Sequence, residues 1–250
     1  MTELANRPAL EIPDRVRREL DDFVAQVLER SRTPPVSVVA FGSAVSGDYA
    51  AHGSDLNVLF VYSELELRDL VPVAPIARKW LRKRRFSARF LTRRDLTETA
   101  RFFQIDLLGM RDAHVVLHGE PVLDALEISP ADLAWQLAHE TKRLRMRLKQ
   151  QFWRAARPDE SVRSLLARTS SFLHLYRALL RLQNRDLPVT QRDVASLATR
   201  DLGLPPEFLD RTFEWKAGRS KPSPEELIDA WSALHEATRR LDARLPAASG

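Results

Sequence analysis

Apolar positions change period several times along the first half of the chain. Val16, Leu20, Phe23, Val24, Val27 and Leu28 recur at helical spacing and predict a helix to about Arg30, with Asp14 as its cap and Thr33-Pro34-Pro35 as its stop. VSVVAF (36–41) and LNVLFVY (56–62) are short, uninterrupted, β-branched runs between turn residues, the pattern of strands buried on both faces. Between them SAVSG predicts one or two helical turns from Ser43 to Gly47. Residues 65–85 are helical in their second half, because the prolines are confined to the early part. FSARFLT (86–92) is a third strand, RRDLTETARFF (93–103) a short helix and AHVVLHG (113–119) a further strand.

Beyond about Pro121 the strand pattern stops. Ser129-Pro130-Ala131-Asp132 sets a cap, a proline at the first helical position and an acid in the first turn, and predicts a long helix to about Ala156. A second runs from Ser161 to Asn184, with Leu165, Leu166, Phe172, Leu173, Tyr176, Leu179 and Leu180 as its buried stripe. Thr190 to Thr199 is a short third. Ser223-Pro224-Glu225-Glu226 adds a capping-box glutamate before the last helix, which ends near Leu245. The expected fold class is therefore α+β: a mixed sheet with helices over residues 1–121, then an all-α bundle over 122–250.

Composition narrows the setting. The chain lacks cysteine, which removes disulfides, thiolate metal sites and a cysteine nucleophile. No apolar run reaches the roughly 18 residues of a membrane span, and the first residues lack a secretory pattern, so the expected address is cytoplasmic, with no membrane partner. Net charge is +5, but KWLRKRRFSARFLTRR holds many cations and no acid. Such a cluster could attract phosphates, an acidic acceptor or RNA. Its interleaved Trp80, Phe86 and Phe90 read as core positions rather than base-stacking platforms.

The chemistry concentrates in FGSAVSGDYAAHGSDLNVLFV, residues 41–61. Backbone N–H groups at a helix start and a nearby hydroxyl suit a triphosphate, and Gly42 with Ser43 offers both. Side chains two apart on a strand share a face, so Asp55 and Asn57 would aim together at a magnesium ion beside those phosphates.

These residues, Gly42-Ser43 followed by Ser54-Asp55-Leu56-Asn57 with Gly47 after the short helix, resemble the nucleotidyltransferase superfamily of DNA polymerase beta and the aminoglycoside nucleotidyltransferases. Phe103-Gln104-Ile105-Asp106 and Leu117-His118-Gly119-Glu120 resemble a segment that follows the catalytic domain in bacterial nucleotidyltransferase-domain proteins. The resemblance implies transfer of a nucleoside monophosphate from a triphosphate, ATP above all, to a hydroxyl of a small-molecule or protein acceptor. It further implies that Gly42 and Ser43 hold phosphates while Asp55 and Asn57 ligate Mg2+ and carry the catalysis. Nucleic acid is not the favoured partner.

Two departures bear on activity. The family uses three carboxylates, two of them in Asp-x-Asp, whereas Asn57 is neutral and FSARFLT offers Ala88 and Arg89 in place of the third acid. Asp106 and Asp48 are candidate substitutes, although each also suits an ordinary structural role. Arg89, if it faces the site, would bind triphosphate oxygens directly and leave a nucleotide-binding sensor or regulator without turnover. A third reading, an RNA-acting toxin–antitoxin component, rests on Arg168 and His174, spaced as in HEPN-type ribonucleases. The basic run Lys142, Arg143, Arg145, Arg147 and Lys149 reads as a solvated helix face. His114 and His118 are placed on a strand, which disfavours a zinc pair.

Overall fold

The computed structural model describes residues 12–42, 45, 56–83, 86–98, 100–154, 158–188 and 190–245. The chain divides into two compact units, Met1–Glu127 and Ile128–Gly250.

The first unit is a four-stranded sheet in the order β3-β2-β1-β4, made of β1 (Ser37–Phe41), β2 (Leu56–Tyr62), β3 (Phe86–Thr92) and β4 (His114–Gly119). β1 runs antiparallel to β2 and β4, while β3 runs parallel to β2. All five residues of β1 are buried, and all of β2 except half-buried Asn57, because both faces are covered.

One face packs against α1 (Asp14–Arg30) and α2 (Ala74–Lys83). Phe23 of α1 is its hub, with ring centroids 5.9 Å from Phe60, 5.7 Å from Trp80 and 4.7 Å from Phe86. Trp80 and Phe86 are thus core residues, as their pattern implied. The other face carries Val39, Phe41, Leu59 and Val61 against Leu96 of α3 (Arg93–Glu98), Leu107 and Met110 of α4 (Gln104–Asp112), and Leu123. The helix expected over 93–103 ends sooner: α3 stops at Glu98, and a 3-10 turn covers Ala100–Phe102. Asp14 is the first helical residue rather than the cap; Pro13 holds the cap position, since its fixed φ leads directly into the helix.

The regular elements of the second unit, among its described residues, are all helices: α5 (Pro130–Arg154), α6 (Pro158–Leu182), α7 (Gln191–Leu202), α8 (Pro206–Lys216) and α9 (Pro224–Asp242). Ser129, Thr190 and Ser223 accept from the N–H groups of Asp132, Asp193 and Glu226, and Glu226 closes the box on the Ser223 N–H. α6 starts three residues before the expected Ser161, with Pro158 ahead of Asp159 and Glu160 in its first turn. Ser161 instead accepts from Trp231 Nε1 at 3.0 Å inside the bundle. α8 is an element that the sequence pattern does not announce. Among the described residues, no helix is long and apolar enough to cross a membrane.

A polar knot ties α6 to α7. Tyr176 donates to Asp201 Oδ2 at 2.5 Å, and Arg185 pairs with the same oxygen. Burial pushes the Asp201 carboxyl up, but hydrogen bonds from Arg185 and Tyr176 outweigh it and hold the pKa below the ordinary value. A carboxylate depressed in this way stabilises the fold above its unfolded pKa, and that stability is lost as pH falls through the folded value. Tyr176→Phe should therefore cost about 2 kcal/mol near neutral pH. In urea melts the gap to the parent protein should narrow as pH drops below about 4.

Candidate functional site

The end of β1 meets the start of β2 at the sequence motif. Gly42 follows Phe41 with φ +79°, a left-handed backbone that favours glycine. Its N–H donates to the Ala113 carbonyl at 3.3 Å, at the α4–β4 junction, and its carbonyl accepts from Val45 N–H at 2.9 Å. A Cβ placed on Gly42 would lie 2.9 Å from Asn57 Nδ2. The glycine therefore lets its backbone rest directly on the Asn57 amide, so these two parts of the motif, fifteen positions apart, are one site. Ser43, Asp48, Ser54 and Asp55 lie outside the described residues, as does most of the short helix expected from Ser43 to Gly47.

Register extends this site across the sheet. Phe41 stands opposite Asn57 and His114, and Asn57 stands beside Ser87. Residues paired across neighbouring strands point to the same face, so Ser87, Asn57, Phe41 and His114 form one row facing the α3–α4 side. One step along, Leu59 pairs with Arg89, which shares that face with Asn57 because it lies two residues after Ser87. The Arg89 guanidinium carbon lies 5.6 Å from the centroid of the Phe41 ring, and its Nη1 lies 3.3 Å from Asp106 Oδ1. Both charged side chains remain about half exposed, at 46% and 47%.

Asp106 thus sits in the first turn of α4 as the partner of Arg89. His114 is buried: its Nδ1 is 3.0 Å from the Arg111 carbonyl, which makes Nδ1 the donor, and its Nε2 is 3.5 Å from Asp124. Only the pairing of β1 with β4 brings it into the row, and no local pattern signals that. Glu120 pairs with Arg93 at 2.6 Å and fastens the end of β4 to α3. Arg168 and His174 are both on α6, six positions apart.

A magnesium ion needs several hard oxygens and enough negative charge to offset its dehydration. Within the described residues the expected ligand set reduces to the neutral Asn57 amide, with the Arg89 cation on the same face. No group of three or more His, Cys, Asp or Glu gathers there, or anywhere else among the described residues, in a way that could hold a metal. These side chains alone do not fit the ion.

No protein-family model and no curated protein matches the sequence. Among solved structures, the fold is similar to that of spectinomycin adenyltransferase AAD(9) from Enterococcus faecialis, solved with ATP and spectinomycin. The TM-score is 0.55 at 16% identity, over 91% of this chain and 97% of that one, a likeness of fold alone.

Proposed function

We propose that this chain, built on an adenyltransferase-like fold, transfers a nucleoside monophosphate from a nucleoside triphosphate to a hydroxyl acceptor. The observation that carries this reading is Gly42 resting on the Asn57 amide, which unites the phosphate-binding and strand halves of the motif. In this reading Gly42 and Ser43 hold the triphosphate, ATP first among candidates, and Asp55 supplies the negative charge that Asn57 lacks. The acceptor oxygen attacks the α-phosphorus, the bond to the bridging β-oxygen breaks, pyrophosphate leaves, and the acceptor proton departs to water. Magnesium belongs to the proposal only through Asp55 together with Asn57, and no step is derived through it.

The acceptor class is a polyhydroxylated small molecule, with an aminocyclitol such as spectinomycin as the first to try, since the structural neighbour was solved with one.

Arg89 favours a second reading, nucleotide binding without transfer. It faces the Asn57 side of the sheet, and its partner Asp106 is exposed enough that the pair is worth only about 0–1 kcal/mol. Exchanging that carboxylate for a phosphate oxygen is therefore cheap, and Arg89 could hold a triphosphate without a metal.

Pyrophosphate release and calorimetric ATP binding, each with and without magnesium, separate the two. Magnesium-dependent release in the presence of an acceptor is expected for the transferase. Tight, metal-independent binding without release supports the second reading, and no binding under either condition overturns both.

A further inference from the structure

The α5–α6 hairpin concentrates charge of one sign. Residues 130–182 hold eleven Lys and Arg against four Asp and Glu, a surplus of seven in a chain whose net charge is +5. Two of the acids, Asp159 and Glu160, lie together in the first turn of α6, and Asp132 and Glu140 stand on α5. Most arginines of the helical unit that form ion pairs are answered close by: Arg143 by Glu140, Arg145 by Asp242, Arg185 by Asp201, and Arg192 and Arg219 by Glu214. Arg147 and Arg168 are not. They are near neighbours across the α5–α6 seam, neither forms an ion pair among the described residues, and Arg168 Nε is buried without a hydrogen-bond partner. Burial, and then the Arg147 charge, hold the Arg168 pKa below its ordinary value. Two like charges held together without a carboxylate repel, and an anion with oxygens for both relieves the strain.

A second observation points the same way. Opposite its buried Leu137, Leu144 and Leu148, α5 presents Trp135, His139, Lys142, Met146, Lys149 and Trp153, alternating by four and three residues along one exposed stripe. Trp153 is 86% exposed and Trp135 is 59% exposed. The Trp135 ring stacks on His139, with centroids 5.4 Å apart and planes within 6°, which fixes the orientation of the indole. No acidic residue belongs to the stripe, although Glu140 flanks it with Oε1 3.6 Å from His139 Nδ1.

We propose that this face binds single-stranded nucleic acid, with Trp135 and Trp153 stacking on bases while Lys142 and Lys149 hold phosphates on the stripe and the Arg147–Arg168 pair, about a third of a turn round α5, holds them where the strand leaves it. Exposed rings interleaved with cations are what an unpaired strand needs and what a duplex cannot use. A second copy of the chain is a poor occupant, because the same positive face would meet itself. An anionic membrane would suit the charge, but the lysines between the tryptophans leave no continuous apolar strip to insert.

The test is anisotropy of a labelled oligouridine of about 16 nucleotides titrated with the full chain at several salt concentrations. Saturable binding that weakens steeply with salt is expected. Trp153→Ala should lower affinity about tenfold. Arg147→Gln with Arg168→Gln should flatten the salt dependence by about one log unit per lost contact. Lys142→Glu with Lys149→Glu, two exposed changes, should abolish binding while far-UV dichroism is unaltered. Saturating ATP should leave the oligonucleotide bound, because the proposed triphosphate site lies in the other unit. The proposal is overturned by absence of saturable binding at low salt, by equal affinity for duplex RNA of the same length, by unchanged affinity in Trp153→Ala, or by displacement with ATP. Capture by phosphatidylserine vesicles without oligonucleotide binding overturns it as well.

Discussion

Gly119→Ala is expected to destabilise the sheet unit by about 4 kcal/mol, a large share of the 5–15 kcal/mol typical of a domain. Gly119 ends β4 with φ +76°, where an alanine costs about 1–2 kcal/mol in backbone strain alone. The new Cβ would also lie 2.0 Å from the Val36 carbonyl oxygen and 2.8 Å from its carbon. Those atoms cannot swing aside as a side chain does. Val36 N–H is bonded to Val61 and Val36 O accepts from Glu120 N–H, so moving them opens the junction of β1, β2 and β4. Overpacking against backbone adds about 1–3 kcal/mol. Gly109 is the contrast: it lies within α4, nothing stands within 4 Å of its would-be Cβ, and Gly109→Ala should gain up to about 1 kcal/mol. Hydrogen exchange of the β1 and β4 amides, alongside urea melts, checks both. Equal and small effects from the two variants would contradict the Gly119 geometry.

The second large effect concerns charge at the motif. Under the proposed function, Asp55→Ala should reduce magnesium-dependent pyrophosphate release to background, because it removes the carboxylate that the Asp-x-Asn pair retains. Asn57→Asp should act in the opposite sense. One added negative charge near a divalent ion is worth several kcal/mol when partly shielded from water, so magnesium affinity should rise at least tenfold and release with it. Aspartate is isosteric with asparagine, and Gly42 has no Cβ to crowd residue 57, so the change needs no repacking. Arg89→Ala in the Asn57→Asp background should raise release further, since it removes a cation from the same face. Pyrophosphate release across a magnesium titration reads all three. Activity that survives Asp55→Ala would sink the transfer mechanism, and no gain in Asn57→Asp would show that the amide is not the limiting departure.

Much of the fold was legible because its instructions are local. Although Thr190, expected as the first helical residue, caps α7 instead, the caps at Ser129 and Ser223 need only the next three residues, and the structure places each on the expected N–H. The same holds for β1 and β2, whose continuous apolar runs reflect burial on both faces. The local signals failed where proline carries two meanings. Pro13 takes the cap position expected of Asp14, and Pro158 and Pro206 open α6 and α8 at positions that read equally well as loop.

The site divides along the same line. The Gly-Ser and Asp-x-Asn frame, with its missing charge at Asn57, could be read from a window of about 25 residues because a strand's period of two fixes which side chains travel together. What Arg89 does could not. Its face, its place over Phe41 and its pairing with Asp106 depend on the parallel register of β2 with β3 and on α4 returning to that side of the sheet. His114 enters the row beside Phe41 for the same reason, through an antiparallel pairing of strands more than 70 residues apart. Periodicity is a property of a segment, but charge compensation is a property of neighbours in space, and folding chooses those neighbours by burying both faces of one sheet.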